Sequence, residues 1–136
     1  MTGGSCNCGA VAFELATSPS DVFVCHCSIC RKWSGTNGIA VVICDAADLT
    51  WLRGEDRIRS WKKPDADWES WFCDTCGSAL PGKNDDKRVF VPAGLLPGDL
   101  PEMHVAHHIW VGSKAAWDEI GDAGKQHRRA FDDARI

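Results

Sequence analysis

Short alternations of apolar and polar residues recur along this chain. Val11, Phe13 and Leu15 alternate, as do Val22 and Val24, and then Ile39, Val41 and Ile43. Further apolar-rich runs lie at 49–52, 68–72, 89–91 and 107–111. Each run is short and is bounded by Gly, Pro, Asp or Ser, residues that turn the backbone and end strands. A period of two over runs of this length predicts a mainly β chain with closely spaced turns. Helix is minor in this reading. Residues 113–120 are expected to form one short helix with Ser113 as its N-cap, and 45–48 a single turn. Segments 64–67 and 81–86 have loop compositions. After Gly121 the chain is charged and shows no apolar period. The expected organisation is one domain over residues 1–121, followed by a loosely ordered tail over 122–136.

Composition narrows the class. With 136 residues, 44% of them hydrophobic and 25% charged, the chain fits one globular domain with its own core. A formal charge of −4 and the lack of a basic stripe argue against nucleic acid as a partner. The longest apolar run, 38–44, is far too short to span a bilayer, so no membrane role is expected. The first six residues carry neither the basic nor the apolar region of a signal peptide, which makes a cytoplasmic location the expectation. Seven tryptophans and no tyrosine form an unusual aromatic set. Trp51, Trp61, Trp68 and Trp71 are expected to fill the core of a thin β structure. Trp33, soon after a cysteine cluster, either packs in the core or walls a pocket there.

The eight cysteines change the picture most. They fall as Cys6-x-Cys8, Cys25-x-Cys27-x-x-Cys30, Cys44 alone, and Cys73-x-x-Cys76. In a reducing compartment such clusters read as metal ligands rather than disulfides. Zinc takes four ligands in closed structural sites and keeps one position open in catalytic ones. Seven clustered thiols divide naturally into four and three. Cys6 and Cys8 pair with Cys73 and Cys76, so one ion clamps the N-terminal strand to the middle of the chain. Each pair is followed by a glycine, Gly9 or Gly77, which lets the backbone turn tightly around the sulfurs. Cys25, Cys27 and Cys30 are then left as a three-thiolate site with an open position. Thiolate donors make a bound zinc a weak activator of water but suit it to hold an incoming thiol as a nucleophile. Thiol chemistry is therefore expected ahead of hydrolysis. The competing reading makes both sites structural, with His26 or a later residue closing the second. Cys44 reads as an inert core thiol. His107 and His108 alternate faces of a strand, so at most one of them faces a given site.

The residues Gly4-Ser5-Cys6-x-Cys8-Gly9-x-Val11-x-Phe13, Cys25-His26-Cys27-Ser28-x-Cys30-Arg31-Lys32-x-x-Gly35 and Phe72-Cys73-x-x-Cys76-Gly77-Ser78-x-Leu80 together resemble the glutathione-dependent formaldehyde-activating enzyme family. The stretch His108-Ile109-Trp110-Val111-x-Ser113-Lys114-x-x-Trp117 is similar to that family's C-terminal motif. The resemblance implies a β-rich fold of the Mss4-like type, with curved sheets around two zinc ions. It implies structural ligands at Cys6, Cys8, Cys73 and Cys76, and catalytic ones at Cys25, Cys27 and Cys30. It further implies a carbon–sulfur lyase that interconverts S-(hydroxymethyl)glutathione with glutathione and formaldehyde, so that the partners are a small thiol and a small aldehyde. Glutathione carries two carboxylates, and Arg31, Lys32 and Lys114 are the candidate cations to read them. Arg31 and Lys32 have the equal alternative of offsetting thiolate charge. Two other functions stay open at the level of sequence: a zinc-stabilised binding module without catalysis, and a redox or metal sensor whose Cys25, Cys27 and Cys30 release zinc on oxidation.

Overall fold

The computed structural model describes residues 1–131. The chain is mainly β, with one short α-helix. It divides into two compact units. The first comprises Met1–Ser18 and Ile43–Leu100, and the second Pro19–Val42 and the chain from Pro101 onward.

In the first unit, β1 (Thr2–Ser5), β2 (Ala12–Leu15) and β5 (Leu49–Arg53) form an antiparallel sheet in the order β1-β2-β5. Alternation in β2 turns Phe13 and Leu15 inward, and both are fully buried. β6 (Ile58–Lys62) and β7 (Glu69–Cys73) make a hairpin, as do β8 (Gly82–Lys83) and β9 (Arg88–Pro92). The core gathers on Cys6, Val11, Cys73 and Leu80, with Trp51, Ile58, Trp71 and Leu95 packed against them. Two of these core residues, Cys6 and Cys73, come from cysteine pairs far apart in sequence, so apolar burial and thiol convergence are one event here. β1 and β6 escape the sequence pattern because neither alternates: β1 is Thr-Gly-Gly-Ser, and β6 is exposed along nearly its whole length.

In the second unit, β3 (Asp21–Cys25) is the centre. It pairs in parallel with β10 (His104–Ile109) and antiparallel with β4 (Ile39–Asp45), whose first residues belong to this unit. β10 pairs in turn with β11 (Lys125–Gln126). The helix α1 (Ser28–Ser34) follows β3 after a two-residue break. Cys27 is its N-cap, its sulfur accepting from the Cys30 N–H, and Gly35 ends it in the left-handed region at φ 71°.

Three expectations need correction. Residues 113–120 do not form a helix. The N–H groups of Trp110, Val111 and Gly112 donate instead to carbonyls of Arg129, His127 and Arg128. Trp110 takes a left-handed conformation at φ 57° and Lys114 an extended one, so only a single 3-10 turn, Val111–Ser113, survives. That exchange also places 127–129 firmly against β10, and His127 is buried. Residues 132–136 of the charged tail lie outside the described residues. Of the four tryptophans assigned to the core, Trp61 is 53% exposed on the outer face of β6. Finally, Cys44 is half-buried rather than in the core. Burial and the nearby Asp48 and Asp45 carboxylates push its thiol up to about 11, so it stays protonated and unreactive.

Candidate functional site

The first cluster forms from two tight backbone knuckles. In one, Gly9 N–H donates to the Cys6 carbonyl (3.1 Å) and Cys6 N–H to the Val11 carbonyl (3.1 Å). In the other, Gly77 N–H donates to the Cys73 carbonyl (2.9 Å) and Cys73 N–H to the Ser78 carbonyl (3.0 Å). Gly9 and Gly77 sit at φ 77° and 76°, which a side chain would strain. Each knuckle aims backbone donors at sulfur: Val11 N–H at Cys6 Sγ and Thr75 N–H at Cys73 Sγ, both at 3.4 Å. Asn7 N–H reaches across to Ser78 Oγ (3.1 Å), tying the knuckles to each other. A hydrogen bond with Ser78 holds Cys76 well below the ordinary thiol value, at about 5. On the outer side, Arg57 bridges Asp74 (2.9 Å) and Thr75 (2.5 Å) and braces the second knuckle.

The four sulfurs of Cys6, Cys8, Cys73 and Cys76 lie within 4.8 Å of one another. Metal–sulfur bonds of about 2.3 Å, the zinc value, give a tetrahedron with sulfur–sulfur edges of about 3.8 Å. The Cys6–Cys8 and Cys8–Cys73 separations are 3.6 and 3.8 Å. The donor set and its spacing therefore fit a tetrahedral thiolate-bound ion, closed on all four sides.

The second cluster is compact in sequence. Cys25 ends β3, Cys27 caps α1, and Cys30 is buried in the first turn of α1. Their sulfurs also lie within 4.8 Å of one another, and no fourth His, Cys or carboxylate joins them among the described residues. Hydrogen bonds from the Cys25 and Cys30 thiols hold Cys27 well below its ordinary value, at about 2. The same contact with Cys27 pushes Cys25 up to about 12, and Cys30 is pushed up too. The three thiols are thus linked through shared hydrogen bonds, and a bound cation would displace the protons they hold.

His26 does not close this cluster. Alternation along the extended segment turns its ring away from Cys25 and Cys27. The ring is 1% exposed. Its Nε2 lies 2.8 Å from His108 Nδ1, and its Nδ1 faces Asp118 Oδ2 at 3.4 Å. Burial and the neighbouring His108 hold His26 below its ordinary value. His108 Nε2 in turn donates to Asp122 Oδ1 at 2.8 Å, and that bond lowers the Asp122 carboxyl. His107 points the other way, stacking on Phe23 and bonding to His127 at 3.0 Å. The sequence shows that only one of the adjacent histidines can face inward. It does not show that β10 lies beside β3, which is what joins His108 to His26.

The candidate cations are placed differently from one another. Arg31, on α1, has a buried Nε without a hydrogen-bond partner. Lys32 is exposed on the same helix. The Lys114 ammonium donates to the carbonyls of Ala115 and Asp118 in its own loop. A cleft of about 650 Å³ in the first unit, floored by Trp51 and Trp71, has no cysteine in its lining. Its rim charges Asp85 and Arg88 are paired with each other at 2.6 Å.

The chain is similar to known proteins. The family model for glutathione-dependent formaldehyde-activating enzymes matches residues 1–113. A relative from Halomonas elongata, named "Putative glutathione-dependent formaldehyde-activating enzyme", is 31% identical over 131 residues, covering 86% of this chain and 79% of the relative. The crystal structure of a Rhodobacter sphaeroides protein is 27% identical with a TM-score of 0.58, covering 73% of this chain and 91% of that one. The chain belongs to the glutathione-dependent formaldehyde-activating enzyme family.

Proposed function

We propose that this chain is a zinc-dependent carbon–sulfur lyase acting on the adduct of a small thiol and a small aldehyde, with S-(hydroxymethyl)glutathione as the substrate type. The observation that carries this reading is the three-thiol cluster whose neighbouring histidine is turned away, with its Nε2 bonded to His108. Four thiols in the first cluster serve the fold, while three in the second leave room for a substrate sulfur. Zinc held by Cys25, Cys27 and Cys30 would supply a Lewis acid that keeps a substrate thiol ionised near neutral pH.

The chain's own residues have the remaining tasks. In the direction of synthesis one carbon–sulfur bond forms, and one proton moves from the thiol to the aldehyde oxygen. No oxidant or reductant is consumed. Holding thiol and aldehyde together supplies most of the rate gain, because the uncatalysed addition needs only encounter and proton transfer. Arg31, with an unpartnered buried Nε one residue beyond Cys30, is our candidate to bind a carboxylate of the thiol substrate. Lys32, exposed on the same helix, is the candidate for the other carboxylate. Lys114 is the weaker candidate, since its ammonium already serves its own loop. No helix among the described residues is long and apolar enough to cross a membrane. Eight cysteines without a disulfide suit a reducing compartment, and we place the protein in the cytoplasm.

The test is a crystal of the zinc-loaded protein soaked with glutathione. The expected result is a glutathione sulfur bound to the ion at Cys25, Cys27 and Cys30, with a carboxylate at Arg31. Glutathione bound away from both ions, or not bound at all, would overturn the proposal.

A further inference from the structure

The second unit holds a buried polar chain that the lyase reading does not use. It runs Asp118, His26, His108, Asp122, with separations of 3.4, 2.8 and 2.8 Å. Both histidine side chains are buried, while Asp122 reaches solvent. Asp122 Oδ1 accepts the Gly124 N–H at 2.9 Å and takes the His108 Nε2–H as well. The 2.8 Å contact between His26 Nε2 and His108 Nδ1 is a single hydrogen bond joining the two rings. At the far end His26 Nδ1 faces Asp118 Oδ2 at 3.4 Å, and both atoms are buried without a hydrogen bond.

The backbone repeats this grip. His26 N–H donates to the Ile109 carbonyl at 3.0 Å, and Cys25 pairs with Ile109 in the sheet. One dipeptide of β10, His108-Ile109, therefore holds the residue between two of the three thiols by both side chain and main chain. Holding the His26 ring and its N–H together restrains the backbone that presents Cys25 and Cys27.

We infer that His108 and Asp122 are positioning residues for the three-thiol centre, fixing Cys25 and Cys27 through the His26 ring. This rests on the reading that Cys25, Cys27 and Cys30 hold a metal ion. Groups that orient metal ligands from behind typically change metal affinity 10- to 100-fold when removed.

The experiment is cobalt(II) titration of the full-length chain, followed by thiolate-to-cobalt absorption and by competition with a chromophoric chelator. The wild type should bind two ions, and a chain that binds only one overturns both this inference and the metal reading beneath it. His108→Leu keeps the volume and removes the bonds. It should weaken the second ion by roughly 10- to 100-fold, shift that ion's ligand-field bands, and leave the first ion unchanged. His108→Asn keeps a hydrogen-bonding group near the Nδ1 position and should restore most of the affinity. Asp122→Asn alters only the solvent-facing end and cannot collapse the core; it should weaken the second ion by a smaller factor. A wild type with two ions, alongside Leu and Asn variants of His108 that bind the second ion with wild-type affinity and spectrum, would overturn the inference. So would equal weakening of both ions, the mark of a merely structural role. Should His108→Leu fail to fold, an unchanged second ion in Asp122→Asn would overturn it as well.

Discussion

Replacing one cysteine in each cluster by serine should give opposite results, and the size of the difference follows from burial. Cys73 is 1% exposed and belongs to the cluster of Cys6, Val11 and Leu80. A structural four-thiolate zinc site contributes about 10–16 kcal/mol of apparent binding energy, so one ligand in four carries roughly 2.5–4 kcal/mol. A serine hydroxyl without a partner in that apolar setting costs about 1–3 kcal/mol more. The total of roughly 3.5–7 kcal/mol is comparable to the lower part of the stability range of a domain this size, about 5–15 kcal/mol. Cys73→Ser should therefore lose its cooperative melt or be recovered only as aggregate. Cys27 is half-buried and already serves as the N-cap of α1. Serine is a preferred N-cap and can take over the bond from Cys30 N–H. Cys27→Ser should purify as a folded chain with one ion. Metal content by mass spectrometry of gel-filtered protein, read beside calorimetric melting, checks both. The reasoning fails if Cys27→Ser loses both ions, or if Cys73→Ser keeps two ions and the wild-type melt.

Three further outcomes are expected. A Cβ at Gly38 would stand 2.4 Å from the Cys25 carbonyl oxygen, so Gly38→Ala must shift the end of β3, at an overpacking cost of about 1–3 kcal/mol; metal analysis should show the second ion depleted and the first retained. Leu80 is fully buried beside Cys6 and Cys73, and Leu80→Ala should cost about 2–5 kcal/mol, read as a lowered denaturation midpoint at unchanged metal content. The Arg88 guanidinium and the N–H groups of Lys87 and Arg88 hold Asp85 down at about 2. Its folded value lies below the unfolded one, so its contribution is full above about pH 4 and is lost as pH falls toward about 2. Urea midpoints of Asp85→Asn and wild type should accordingly differ at pH 7 and converge near pH 2, and a gap that persists in acid would contradict the assignment.

The parts legible in the sequence are those whose chemistry is local. Both knuckles carry their own turn signal, a cysteine pair followed by Gly9 or Gly77, and the three-thiol cluster lies within six consecutive residues. The β2 pattern alternates because Phe13 and Leu15 share a buried face, whereas in β4 the buried residue is Val42, out of step with Ile39, Val41 and Ile43. Helix α1 was hidden because Cys30 is its only buried residue, so it has no apolar stripe, and because its N-cap is a thiol. The segment after Ser113 misled in the opposite sense. Its capping pattern is sound locally, but Lys114 leaves the helical region at ψ 141°, so the turn begun at Val111 ends at Ser113. The non-helical segment that follows carries Asp118 to His26 and Asp122 to His108. His26 and His108 are 82 positions apart in sequence and meet only because β10 lies parallel to β3, with His108 opposite Val24. A parallel register cannot be read from either strand alone, since each offers the same alternation to any neighbour. The three thiols of the second cluster are thus specified within one short segment, while the residue between two of them is held by a strand and a loop from the far end of the chain. If the proposed positioning role holds, substitutions within residues 104–124 should alter metal binding at that cluster without touching a cysteine.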